Sequence, residues 1–148
     1  MIKRYTPSQI RDGTASYSFE AFLDDLWVDV ETSLFERHPQ KKKESGQRNE
    51  KLAKNLRDVF VFVYELCNLA ARKHPDLEKI LDQADDDKKA ILQKTLRSNE
   101  ENIALLHAIY SREVIGRLKQ GFSRRQAEKA TIEKSKNVFI NWLRLKES

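Results

Sequence analysis

The chain has 148 residues, 39% hydrophobic and 34% charged, with a formal net charge of +5. That length suits one domain, which buries roughly 70% of the surface its unfolded chain exposes, and the charge fraction is above the usual ~25%. No run approaches the ~18 apolar residues of a membrane span. Met1–Pro7 leads into polar residues instead of a signal's apolar core, and the lone Cys67 excludes an intrachain disulfide. A cytoplasmic protein with no membrane partner is therefore expected.

Taken in chain order, the elements are all helical. Thr6-Pro7-Ser8-Gln9 has capping-box spacing with proline first in the helix, which predicts a short turn over 7–11 that stops before Gly13. Ser18 is placed to cap the first long helix, with Tyr17 and Phe22 at hydrophobic-staple spacing. Phe19, Phe22, Leu23, Leu26, Trp27, Val30 and Leu34 recur at three and four, one helical face, until His38-Pro39 ends it. Residues 40–49 are polar and charged and form a linker. A second long helix over 48–73 carries Leu52, Leu56, Val59, Phe60, Val63, Leu66, Cys67 and Ala70, widened by Phe62 and Leu69. An apolar surface nearly all round marks a central helix.

His74-Pro75 ends that helix, as Arg37-His38-Pro39 ends the one before, and shared helix-ending chemistry explains the likeness without an internal repeat. A short helix over 75–84 follows, with Leu77, Ile80 and Leu81 inward. One of Asp85, Asp86 and Asp87 caps the next pattern, which runs through Ile91, Leu92, Leu96, Ile103, Leu106, Ile109, Tyr110, Val114 and Leu118, with a break placed near Ser98-Asn99. Gly121 suits its C-terminal cap. Ser123-Arg124-Arg125-Gln126 is a second capping box, opening a last helix through Ala127, Ala130, Thr131, Ser135, Val138, Phe139, Trp142 and Leu143. The expected fold is an all-α, single-domain bundle of four to five main helices over 1–148, with an N-terminal arm at 1–16.

Charge is polarised along this chain. Glu20 to Glu36 carries six acids and no base, whereas Arg112 to Lys146 carries ten bases against Glu113, Glu128 and Glu133, a balance of +7. Arg112, Arg117, Lys119, Arg124, Arg125, Lys129, Lys134 and Lys136 are candidates for neutralising phosphates. The plainer explanation is that this face lies against the acidic helix or a second subunit. Phe139, Trp142 and Leu143 are candidate anchors for a protein partner or a dimer.

Gly121-Phe122-Ser123-Arg124-Arg125-Gln126-Ala127 resembles the start of a helix-turn-helix, and Val138 and Trp142-Leu143 resemble the core of a recognition helix. The resemblance covers about twenty-five residues and implies DNA binding. It departs at Thr131-Ile132-Glu133, where a turn breaker belongs, and at Glu128, where a small residue is usual, so one unbroken helix is expected.

Other chemistry is thin. His38 and His74 precede prolines, His107 edges an apolar face, and no His-x-x-x-His or Glu-x-x-His spacing offers a metal site. Counted from Asp82, a calcium loop would need glycine where Asp87 stands and glutamate where Gln93 stands. Asp24, Asp25 and Asp29 form an acidic face that could hold Mg²⁺, although a solvated or paired face is the simpler explanation. Cys67 shares a stripe with Val63 and Ala70 and has no neighbouring base to activate it. No catalytic residue, cofactor or metal is assigned. The expected function is a non-enzymatic binding or adaptor protein acting through protein–protein contacts as a homo-oligomer. The alternatives are nucleic-acid binding through the basic C-terminal face and, third, an enzyme with an acidic metal site.

Overall fold

The computed structural model describes residues 5–37, 50–72, 77–92 and 100–147. Among them the chain is all-α: α1 (Pro7–Asp12), α2 (Phe19–Arg37), α3 (Glu50–Ala71), α4 (Leu77–Asp82), α5 (Asp86–Leu92), α6 (Glu100–Lys119) and α7 (Arg124–Glu147), with no strand. Four of these helices are long, as expected. The predicted linker 40–49, the two His-Pro stops and the break near Ser98-Asn99 lie outside the described residues.

Local chemistry sets the helix ends. Thr6 and Gln9 close a reciprocal capping box, with the Gln9 amide N–H donating to Thr6 Oγ1 at 3.2 Å and the Thr6 N–H to Gln9 Oε1 at 2.9 Å. Ser18 Oγ accepts from the Ala21 N–H at 3.1 Å, and the Tyr17 and Phe22 rings meet across that cap at 6.4 Å. Asp85 is the aspartate that caps α5, accepting from the Lys88 N–H at 2.9 Å. Each such cap satisfies an otherwise orphaned donor and is worth ~1 kcal/mol.

α6 ends on Gly121, whose φ of 100° lies in the left-handed region. There the Gly121 N–H donates to the Leu118 carbonyl and the Phe122 N–H to the Arg117 carbonyl, both at 3.1 Å, the paired bonds of a Schellman cap. Nothing lies within 4 Å of where a Cβ would stand, so a side chain here meets backbone strain alone. Gly121→Ala is expected to lower stability by about 1–2 kcal/mol. Urea denaturation followed by circular dichroism checks this, and an unchanged midpoint would contradict it.

The described residues group into two compact units, Met1–Asp25 with Ala104–Ser148, and Leu26–Ile103, whose boundaries fall inside α2 and α6. In the first, Ile10, Phe22, Leu23, Leu105, Leu106, Ile109, Val114, Ala127, Phe139, Trp142 and Leu143 are buried. In the second, Leu26, Val30 and Leu34 of α2 are buried, as are Val59, Phe60, Val63, Tyr64, Leu66 and Cys67 of α3. There α3 packs against α4 and α5, and Trp27 meets Phe60 edge-to-face at 5.0 Å. Three residues of α3 depart from the expected stripe: Tyr64 is in the core, whereas Leu69 and Phe62 are half-buried, Phe62 with Lys88 Nζ 5.0 Å above its ring.

Burial pushes the Tyr64 phenol up from 10.0 to about 12 and the Cys67 thiol well above its usual range, because neither can ionise without losing water. Both values are raised on folding, so the unfolded chain ionises first. The stability these groups contribute is complete well below pH 9.0, where the exposed thiol is half ionised, and is lost as pH rises through 10.0 toward about 12. The thermal midpoint should therefore be flat near neutrality and fall steadily above that threshold. In Cys67→Ala the fall should begin later. A midpoint flat throughout the alkaline range would refute the assignment.

Candidate nucleic-acid interface

The turn between α6 and α7 is exposed at every residue from Lys119 to Gln126. It carries Lys119, Arg124 and Arg125 and no carboxylate. Ser123 and Gln126 hold the start of α7 by a reciprocal capping box, both bonds at 3.2 Å. Arg124 and Arg125 occupy the first two positions of α7, which has no acid in its first turn. Cations there oppose the positive end of the helix dipole, each costing typically 0.3–1 kcal/mol at an exposed site. Arg124 recovers little through Glu128, since that pair stands at 3.8 Å with the arginine 72% exposed. A local rule broken without a compensating structural gain is the pattern expected at functional positions.

From the turn the cations continue along α7. Arg125, Lys129 and Lys136 recur at spacings of four and seven, Arg144 lies eight further on, and all four are exposed. That spacing places them on one outward side, over about 28 Å at 1.5 Å per residue. Glu133 interrupts the row with one exposed acid.

The other candidates are placed differently. Arg117 is drawn inward, its side chain 18% exposed, and Nη1 donates at 3.0 Å to both Glu113 Oε2 and Thr131 Oγ1. Thr131, itself 1% exposed, donates its hydroxyl to the Ala127 carbonyl at 2.7 Å. Arg117 thus ties α6 to α7. Lys134 Nζ meets the same Glu113 at 3.2 Å. Arg112 is exposed beside Gly13, and with Glu113, Lys134 and the first turn of α2 it borders a cavity of about 340 Å³. The Glu113–Arg117 spacing of four was the signal in the sequence that this arginine would pair along its helix.

Phe139, Trp142 and Leu143 are buried, at 6%, 2% and 6% exposed. Trp142 Nε1 donates to Asp24 Oδ1 at 2.6 Å, and Lys146 reaches both the indole face at 5.3 Å and Asp24 at 3.3 Å. Their apolar area is committed to the chain's own fold. The exposed apolar side chains on α7 are instead Ile140 and Leu145.

Asp24 is engaged by Trp142 and Lys146, and Asp25 accepts the Tyr17 hydroxyl at 2.5 Å. Among the described residues no group of three or more His, Cys, Asp and Glu side chains is placed to hold a metal ion. His107 is half-buried, and His38 and His74 lie outside the described residues. Across Thr131-Ile132-Glu133, where a helix-turn-helix would break, α7 runs on as one helix. Among the described residues no helix is long and apolar enough to cross a membrane. Comparison with protein-family models, with curated proteins and with solved structures finds no match to this chain.

Proposed function

We propose that this chain binds nucleic acid through its phosphates, using Lys119, Arg124, Arg125, Lys129 and Lys136. One observation carries this reading: these five cations are exposed, and four of them, Lys119, Arg125, Lys129 and Lys136, make no ion pair among the described residues. Ten bases against three acids from Arg112 to Lys146 supply the long-range attraction. Contacts of this kind fix position on the phosphate chain and read sequence weakly. Binding by counterion release falls with salt at a slope near −0.9 per phosphate contacted on duplex DNA. Fluorescence anisotropy with labelled duplex DNA and single-stranded RNA, at low and near-physiological salt, tests it. Tight binding that weakens steeply with salt is expected, and no binding even at low salt refutes it.

A protein-binding role, with the chain as a homo-oligomeric adaptor, is the second reading. It rests on Ile140 and Leu145, 43% and 70% exposed on the last two turns and a half of α7, since the aromatic anchors are turned inward. Sedimentation velocity separates the two: a discrete oligomer dissociated by Ile140→Asp favours self-association, and a monomer at all concentrations removes it.

A further inference from the structure

We infer that Phe122 is a stacking platform for an unpaired base, so that the α6–α7 turn selects single-stranded over double-stranded nucleic acid. This rests on the phosphate-binding reading above and adds the class of nucleic acid to it. Isolated exposed apolar residues are ordinary. The setting of this one is not: Phe122 is 41% exposed inside the exposed stretch from Lys119 to Gln126, which carries three cations and no acid. Its backbone is held from both sides. On one, its N–H is bonded to the Arg117 carbonyl through the turn that the left-handed Gly121 permits. On the other, Ser123 is locked into the capping box of α7.

Recognition of single strands needs these two components together: cations that track the backbone, and an aromatic face on which a base stacks. Every base offers a π face, so such a platform is tolerant of sequence, and it is idle against a closed duplex whose bases are already stacked. Lys119 lies three residues before the ring and Arg124 and Arg125 two and three after it. At that spacing the phosphates flanking a stacked base fall within reach of long side chains, and the arginines add cation–π attraction.

The test uses three labelled probes on the full chain: a single-stranded oligonucleotide, a duplex closed by hairpins at both ends, and a strand of the same length made of abasic sugar-phosphate. Phe122→Ala is expected to weaken binding to the single strand about ten-fold, within the range for loss of one base–aromatic stack. It should leave the closed duplex and the abasic strand within two-fold. Phe122→Trp should retain affinity, with the added indole quenched on binding the single strand only, whereas Phe122→Leu should behave as the alanine variant does. An equal loss on all three probes, or rescue by leucine, overturns the stacking assignment while leaving phosphate binding intact. Wild-type chain that binds none of the probes at low salt overturns both. Circular dichroism confirms that each variant is folded.

Discussion

Replacing Arg125, Lys129 and Lys136 together with glutamate is expected to weaken nucleic-acid binding by at least about 100-fold at 50 mM salt, without unfolding the chain. The magnitude follows from counterion release: a slope near −0.9 per contact makes each phosphate contact worth about ten-fold at that salt relative to 1 M. Three lost contacts, and three new repulsions, give more than the bound stated. The slope against salt should also fall by about 3. All three side chains are exposed, and among the described residues none has a partner whose charge would be stranded. Charge reversal at exposed sites usually changes stability by under ~0.5 kcal/mol. The glutamate at position 125 should even favour α7, since an acid suits the start of a helix. The matched control is Lys54→Glu, Lys79→Glu and Lys89→Glu on α3, α4 and α5. These lysines are equally exposed and carry the same change in net charge. If the control loses affinity as the α7 variant does, binding follows net charge and the α7 face has no special part. If neither loses affinity, the assignment fails.

Trp142→Ala should be the most destabilising substitution in α7, by about 3–5 kcal/mol. The indole is 2% exposed and its N–H reaches Asp24 of α2, so its loss leaves a cavity that a helical backbone cannot close. The hydrogen bond to Asp24 is the smaller part. Asp24 is 53% exposed and keeps Lys146 at 3.3 Å, so water replaces the indole donor cheaply. Trp142→Phe, which removes the N–H and part of the ring, should accordingly cost only about 1–2 kcal/mol. Urea denaturation followed at 222 nm resolves the two. Because the outward cations are untouched, folded Trp142→Ala should still bind nucleic acid below its transition. An unfolding free energy within about 1 kcal/mol of wild type would mean that the indole is not packed as described, and would return Trp142 to the role of a partner anchor.

The residues changed in these two variants sit on one helix and have opposite legibility. The end of α6 and the start of α7 were readable from sequence because capping is local: the left-handed Gly121 needs only the absence of a Cβ, and Ser123 and Gln126 are three residues apart. The same holds for Thr6 with Gln9, for Ser18 and for Asp85, and for the period that put Ala127, Thr131, Phe139, Trp142 and Leu143 on one side. What an apolar stripe faces is not local. Trp142 reads equally well as a partner anchor or as core, and its donor bond to Asp24 spans 118 residues.

The all-α class, the helix ends and the inward side of each long helix were thus legible in the residues alone, because those depend on contacts within one or two turns. The remainder emerged with packing. Arg117 is drawn across to Thr131 of α7, while Lys119, Arg125, Lys129 and Lys136 remain in solvent. Tyr64 is buried where Phe62 is only half-buried, and Phe122 stays exposed among cations. Beyond i,i+4 pairs such as Glu113 with Arg117, a cation's availability is set by burial and by acids that only folding brings near, as Glu113 is brought to Lys134 across 21 residues.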